Sequence, residues 1–554
     1  VKVLVIGDVG VKDGVIHLGD EAMLAELLHQ LRERDISDIT VISANPADTA
    51  ARYGVNAILP LDFSAERVGT QHERDMRIQS ILRASHGEGG MLDWQDPAWQ
   101  VIEAIMAADA VVIAGGGNLS SIWPAHVYER ATIGMLAAYF TKPLGITGQS
   151  IGPALLKRDG ELVAQLLKSA AIVGVRETSS RDLVAALGVE AEVVRHTIDD
   201  ATFVSGSAEA QTAPYCIVTF ASYTGTPNQD AVVTAAAALL DHIALVTGLN
   251  IVMIAHVAAV DGNDLRADAA LHARILAAVT ASGVTSRSTD DIGLAAALAR
   301  NAELSVSSRY HPTVFASGAG VPTIGIGVDD YTDSKISGAL ENFGQLEHFV
   351  PISALFTGDA ALLVSDVWKR RASIRKAADL VIPKRVEATS QWWDDLVAAL
   401  RSEPATRYIW QEVAPVSTID AALRARLDGM RTWLRLTSQG TTGTAIAVRE
   451  LTETLAGFRH ATALAEGIAG AAQSELDAAL TRADDAEAAL AASHELATAL
   501  GDPLFEKKLS REPDVPQTTD ILMLLDTRLF RWSRVPRRLY GVVRRGLRVW
   551  RTLR

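Results

Sequence analysis

Apolar and polar positions follow one rhythm up to about residue 400 and a different one beyond it. In the first part, short β-branched runs such as VKVLVIG, DITVISAN, ADAVVIAGGGNL and KPLGITGQSIGP alternate with amphipathic stretches such as GDEAMLAELLHQLRER and SSRDLVAALG. Apolar runs of about four to eight residues suit strands buried on both faces, and the stretches between them carry helical spacing. The alternation predicts parallel α/β sheets. AAIVGVRE and EAEVVRHTIDDATFV complete a first domain over residues 1–205. The polar stretch SGSAEAQTAP separates it from a second domain over 206–400. There YCIVTFASY, LNIVMIAHV, AELSVSS and VPTIGIGVD read as strands, and 230–247, 264–281, DDIGLAAALARN and TVFASGAG as helices. Two Rossmann-like domains of this kind face one another across a cleft between strand C-terminal ends.

Beyond residue 400 the strand signal stops. Residues 401–500 form a helical extension rich in Ala, Leu, Glu and Arg, with a rough heptad through Leu476, Leu480, Ala483 and Leu490 that Glu487 interrupts. A Pro-containing linker covers 501–527, and the tail 528–554 holds ten arginines and no acid. Plotted as a helix, Leu539, Val542, Val543, Leu547, Trp550 and Leu553 share one face of that tail, the pattern of a segment lying in an anionic membrane interface.

The chain has 554 residues with 48% hydrophobic content, enough for two or three cores. The net charge of −14 argues against a nucleic-acid partner. A single cysteine, Cys216, excludes an intrachain disulfide and suits a reducing compartment. The chain opens directly on a strand pattern, and no run of about 18 apolar residues predicts a spanning helix. A cytoplasmic protein, peripheral at the inner face of the plasma membrane, is expected.

The chemistry gathers at strand ends. In SSRYHPTVFASGAG, Arg309 ends a strand, and His311 stands at the turn before Pro312, which suits the first position of a helix. A cation and a titratable imidazole beside a helix N-terminus suit acid/base work on an anionic molecule, although a cap with a surface ion pair has the same pattern. Gly115, Gly116, Gly117 and Asn118 end another strand, where glycines let backbone approach a ligand or simply make a tight turn. Gln149 and Ser150 in TGQSIGP offer hydrogen bonds to a ligand or to their own turn. Arg176 in GVRE must leave an apolar strand for a ligand or for Glu177. Gly19 and Asp20 open the first helix, as a cap or as an acceptor contact. Asp199 and Asp200 read as capping or solvated acids. The spacing of His and Cys matches no zinc site, and the chain has no P-loop, so neither a metal nor a cofactor is expected.

Taken in order, GDEA, GGGNL, GQSIGP, VRE, DDATF and SSRYH resemble the polysaccharide pyruvyl transferase family over residues 1 to about 350. Two departures stand out. The loop GDVGVKDGVIHLGDEA is longer than the usual Gly/Asn-rich turn, which puts an inherited role for His17 in doubt, and Asp200 replaces a more usual proline. The resemblance implies a GT-B-like fold. It also implies transfer of the enolpyruvyl unit of phosphoenolpyruvate onto a sugar diol, forming a pyruvate ketal and releasing phosphate. On that reading Arg176 and Arg309 bind phosphoenolpyruvate and His311 is the acid/base. The acceptor is expected to be a cell-envelope glycan or glycolipid precursor, lipid-linked in keeping with the basic tail, and the extension offers a route to homo-oligomers. A nucleotide-sugar glycosyltransferase and a catalytically silent scaffold on the same fold are the alternatives.

Overall fold

The computed structural model describes residues 1–206, 213–226, 228–260, 267–404 and 410–439. The heptad over 476–490, the linker over 501–527 and the basic tail over 528–554 lie outside the described residues.

The first sheet is parallel. Its strands are β1 (Lys2–Ile6), β3 (Asp38–Ile42), β4 (Asn56–Ile58), β5 (Ala110–Ile113), β6 (Gly116–Leu119), β7 (Leu144–Ile151), β8 (Ile172–Val175) and β9 (Val194–His196). They run in the order β4-β3-β1-β5-β7-β8-β9, with β6 paired to the end of β7. Alternation decides the faces: Leu4 and Ile6 join one buried cluster with Val111, Ile146 and Val173, while Val3 and Val5 join another with Val41 and Val112. The second sheet, also parallel, runs β13-β11-β10-β14-β15-β16. These strands are β10 (Tyr215–Thr219), β11 (Asn250–Ile254), β13 (Val284–Arg287), β14 (Leu304–Ser307), β15 (Thr323–Gly327) and β16 (Phe349–Pro351). The edge strand β13 escaped sequence reading because VTSR is short and polar. The expected two-sheet, Rossmann-like α/β organisation, GT-B-like in its pairing of two such units, is present.

The two units are joined by more than a linker. The long loop after β1 forms β2 (Val15–His17), which pairs antiparallel with β12 (Val257–Ala259) from the second unit, His17 opposite Val257. The extra loop length is thus an inter-unit ribbon. Behind it, Ile16, Leu18 and Met23 share one buried cluster with Ile217, Ile254, Tyr310 and Val314, so apolar packing joins the two units there.

Three further features depart from the sequence reading. The helix Asp359–Leu400 is 42 residues long, about 63 Å at the usual rise. It buries Leu363, Val367 and Ile374 with the second sheet, but Trp392, Trp393 and Leu396 against β1 and β5 of the first, so 206–400 is not one body of packing. The extension also does not begin as a separate element. Residues 421–439 are helical, and Ile419, Leu423 and Leu427 are buried in the second-sheet core. Finally, the helix Gln229–Thr247 is long and apolar enough to cross a membrane, yet Val233, Ala236, Leu240 and Ile243 bury its stripe in the second-sheet core.

Candidate functional site

The C-terminal ends of β6, β7, β8 and β14 converge at the junction, and most of the residues singled out in the sequence meet there. The site helix is Tyr310–Gly318, with Arg309 extended at its N-cap. It starts before Pro312, which therefore takes its third position; a first-turn proline sacrifices no helical hydrogen bond. His311, in the first turn, keeps 13% of its side chain exposed, and its buried Nε2 lies 3.8 Å from Asp199 Oδ2 without a hydrogen bond among the described residues. Its ring packs on Gly19, near the start of the helix Leu18–Arg32, so closely that a Cβ there would overlap the imidazole. Burial, followed by the charges of Arg176, Lys335 and Arg309, holds the His311 pKa well below its ordinary value.

Arg176 is completely buried. It ion-pairs with Asp199 and Glu177, takes Ser150 Oγ at 2.9 Å, and lies 4.5 Å from the centroid of the Tyr310 ring. Its Nη2 has no partner among the described residues. In this arrangement it meets no solvent, so it does not stand as an open donor ligand. Arg309 is more accessible at 28% exposure, with Nε and Nη2 clamped by Asp268 at 2.9 and 2.5 Å. Asp268 also accepts N–H bonds from Ser222 and Val257, and these partners outweigh burial to hold its pKa low.

The glycine run serves close approach. A Cβ on Gly115 would stand 2.6 Å from an Asp200 oxygen, and one on Gly117 would collide with the Tyr331 hydroxyl and the Lys335 ammonium. Tyr331 donates to the Gly117 carbonyl at 2.5 Å, and Lys335 Nζ lies 5.0 Å from the Tyr310 ring centre. Asn118 is nearly buried, with Oδ1 unpartnered among the described residues. Gln149 donates to the Ala114 carbonyl at 2.6 Å, and Ser150 donates to Glu177 at 2.6 Å, so both act on their own framework. Asp200, bonded to Thr147, has its pKa raised by burial to about 7. Asp20 stands at the rim, 26% exposed, with His17 as its ion-pair partner at 3.9 Å.

Sequence reasoning missed four participants. Asp199 looked like a cap, and it does cap Ala201 at 2.9 Å, but its other oxygen holds Arg176. Asp268 gave no local signal. Tyr331 and Lys335 follow the strand end VPTIGIGVD at i, i+4 spacing, which places them on one helix face. Reading every strand end for cations would have found Lys335.

No curated protein sequence matches the chain. Among solved structures, similarity is found to a protein assigned as a UDP-N-acetylglucosamine 2-epimerase from Listeria monocytogenes, at 12% identity and a TM-score of 0.49, covering 74% of this chain and 99% of that one. UDP-GlcNAc 2-epimerase from Neisseria meningitidis, bound to UDP-GlcNAc, is similar at 11% identity and a TM-score of 0.47, covering 73% of this chain and 100% of that one. A family profile matches residues 17–330, more than half of the chain, from the ribbon strand β2 through the site helix to the threshold of Tyr331: the chain belongs to the polysaccharide pyruvyl transferase family.

Proposed function

We propose that this pyruvyl transferase takes phosphoenolpyruvate as donor and a sugar diol as acceptor, forming a cyclic pyruvate ketal and releasing phosphate. The observation that carries this reading is His311, a largely enclosed imidazole on which Arg176, Lys335 and Arg309 converge. Three cations around one imidazole suit a donor with a carboxylate and a phosphate on one small carbon frame. Arg309 keeps Nη1 for the donor while Asp268 fixes its plane, and Lys335 offers a compact charge beside Gly117. Arg176, enclosed by Asp199, Glu177 and Tyr310, acts through its field. The unliganded site keeps the imidazole neutral, and an arriving anion offsets the cations and lets His311 hold the proton it gives to the donor's methylene carbon.

The acceptor side of the site is the accessible edge that carries Asp8 and Asp20. A lipid-linked envelope glycan precursor at the cytoplasmic leaflet suits the basic tail 528–554 as an anchor on an anionic inner membrane surface. No cofactor or metal enters this chemistry, and self-association through the extension over 401–500 belongs to the same reading.

The test compares phosphate release from phosphoenolpyruvate with UDP or GDP release from nucleotide sugars, each with a panel of p-nitrophenyl hexopyranosides bearing free hydroxyl pairs. Phosphate release that falls at least about 100-fold in His311→Asn is expected. Nucleotide release that is independent of phosphoenolpyruvate would overturn the reading in favour of a glycosyltransferase.

A further inference from the structure

The helix Asp330–Glu341 divides into two halves by what holds it. In the second half, Ile336, Ala339 and Leu340 are buried in the cluster that joins the two units, and Gly338 packs on Glu177. The first half carries Tyr331 and Lys335 to the glycine run. These two residues, four apart, share a helix face, and Asp333, two positions from each, lies on the opposite one.

Asp333 is a carboxylate with no solvent exposure. A carboxylate taken out of water persists only with partners. Those of Asp333 come from the helix over 421–439, outside the residues that match the family profile. Arg431 donates from Nε to Oδ2 at 2.7 Å and from Nη2 to Oδ1 at 2.8 Å. Arg435 donates from Nε and Nη2 to Oδ1 at 3.1 and 2.6 Å. From the same helix, Ser438 Oγ accepts the Asp330 N–H at 2.9 Å, so the extension caps the first turn from outside as well. Arg431 is itself seated 4.5 Å from the centroid of the Phe349 ring, in the last strand of the second sheet.

We propose that Arg431 and Arg435 are positioning residues of the site: by gripping Asp333 from behind, the C-terminal extension holds Lys335 and Tyr331 against the glycine run. This rests on the pyruvyl-transfer reading above. The held groups form a chain, in which Lys335 Nζ donates to the Tyr331 hydroxyl at 3.2 Å and that hydroxyl donates to the Gly117 carbonyl at 2.5 Å. Lys335 Nζ also lies 5.0 Å from the ring centre of Tyr310, the residue beside His311. With its first turn released, the helix lets this long side chain swing to solvent, where its charge no longer meets the donor. The two guanidiniums act through Asp333 and the helix, and the extension completes the site within the same chain.

The test uses the full-length protein and the variant Arg435→Gln, in which Arg431 still pairs both oxygens of Asp333. Calorimetry reads phosphoenolpyruvate affinity. Peptide mass spectrometry reads the rate at which sulfo-N-hydroxysuccinimidyl acetate acetylates Lys335. Expected are an affinity lower by about 2- to 30-fold and faster acetylation, with part of both recovered in Arg435→Lys. In a Lys335→Met background, Arg435→Gln should add little to the affinity loss, because the two residues act in series. Arg426→Gln is the matched control: it removes an ion pair from the same helix, to Asp359 at 2.9 Å, and should change neither readout. Should Arg435→Gln fail to fold by circular dichroism, Ser438→Ala, which removes the outer cap and no charge, carries the same expectations. Parent-like affinity or parent-like Lys335 reactivity in the folded variant, losses that multiply in the double variant, or an equal effect in Arg426→Gln would overturn the positioning role. A parent protein that binds no phosphoenolpyruvate overturns the donor reading instead, and Lys335 acetylation then decides the positioning role by itself.

Discussion

Gly19→Ala sets two effects of opposite sign against each other. Gly19 lies in the first turn of the helix Leu18–Arg32, and helix propensity alone predicts that alanine there stabilises by about 0.5–1 kcal/mol. The site predicts the reverse. The new Cβ would overlap Nδ1, Cε1 and Cγ of His311 at once. The ring has little room to yield, because Tyr310 meets it edge-on at 5.1 Å between centroids and Phe315 lies behind it at 6.1 Å. Forcing such a contact typically costs about 1–3 kcal/mol, so the net change is destabilisation or, at best, near neutrality. The effect on turnover is larger, since displacing a reacting group by about 1 Å can cost about 100-fold. Donor affinity should change little, because the three cations are untouched. Thermal melting, calorimetric titration of phosphoenolpyruvate and phosphate-release kinetics together read the three quantities. A Gly19→Ala protein that melts higher and retains full turnover would refute the placement of His311 against this helix.

The helix over 421–439 provides a second prediction. Arg431 and Arg435 both clamp the buried Asp333 at 2.6–3.1 Å, on the helix that carries Tyr331 and Lys335 to the glycine run. A chain ending at residue 417 loses this clamp and the burial of Ile419, Leu423 and Leu427, at about 1.5–3 kcal/mol each, a large part of a domain's stability. It should unfold or aggregate by circular dichroism and light scattering, and a parent-like melt of that shortened chain would refute the reasoning. A third prediction concerns acid. Burial holds His256 and His196 at about 3 and His348 at about 4, below the unfolded value of about 6.5, so the unfolded chain protonates first and stability falls as pH drops below about 6.5. At pH 5 each contributes about 2 kcal/mol of loss, opposed by Asp20 and Asp200, whose raised pKa values favour the fold as pH falls below about 7. Melting temperature against pH should therefore decline from about pH 6 downward, with a shallower slope in His348→Asn; an unchanged slope in that variant would count against a neutral buried His348.

Sheet architecture was legible because buried parallel strands announce themselves as apolar runs, and strand ends carry the ligand-facing residues by topology. His311, Arg309, Arg176 and the glycine run were found that way. Their partners were not legible, for physical reasons. Asp199 serves as a cap and as a counter-ion at once, and only the first role has a local pattern. Asp268 lies 41 positions from Arg309, with nothing in ADAALHARILAA to mark it. Whether Gln149 and Ser150 face a ligand or their own framework depends on distances that spacing does not carry. The helix Asp359–Leu400 crosses from one sheet to the other, and its apolar residues read the same whichever core they enter.

The longer loop after β1 matters because of where it leads. Its strand β2 hands directly into Leu18, Gly19 and Asp20, and Leu18 N–H donates to the His256 carbonyl at 3.2 Å. The backbone that carries Asp20 is thus hydrogen-bonded to the second unit, the unit that carries His311, within one residue of the Gly19–His311 contact. A site built from residues of two units tolerates little relative motion, since hydrogen-bond geometry fails within tenths of an ångström. In the absence of such a ribbon, the spacing between His311 and the first helix would depend on how far the units close around the substrate. Here it is set by backbone pairing and by the shared cluster of Ile16, Leu18, Ile254 and Val314. The loop that looked like a departure from its family is therefore the element that fixes the first helix of one unit against His311 of the other.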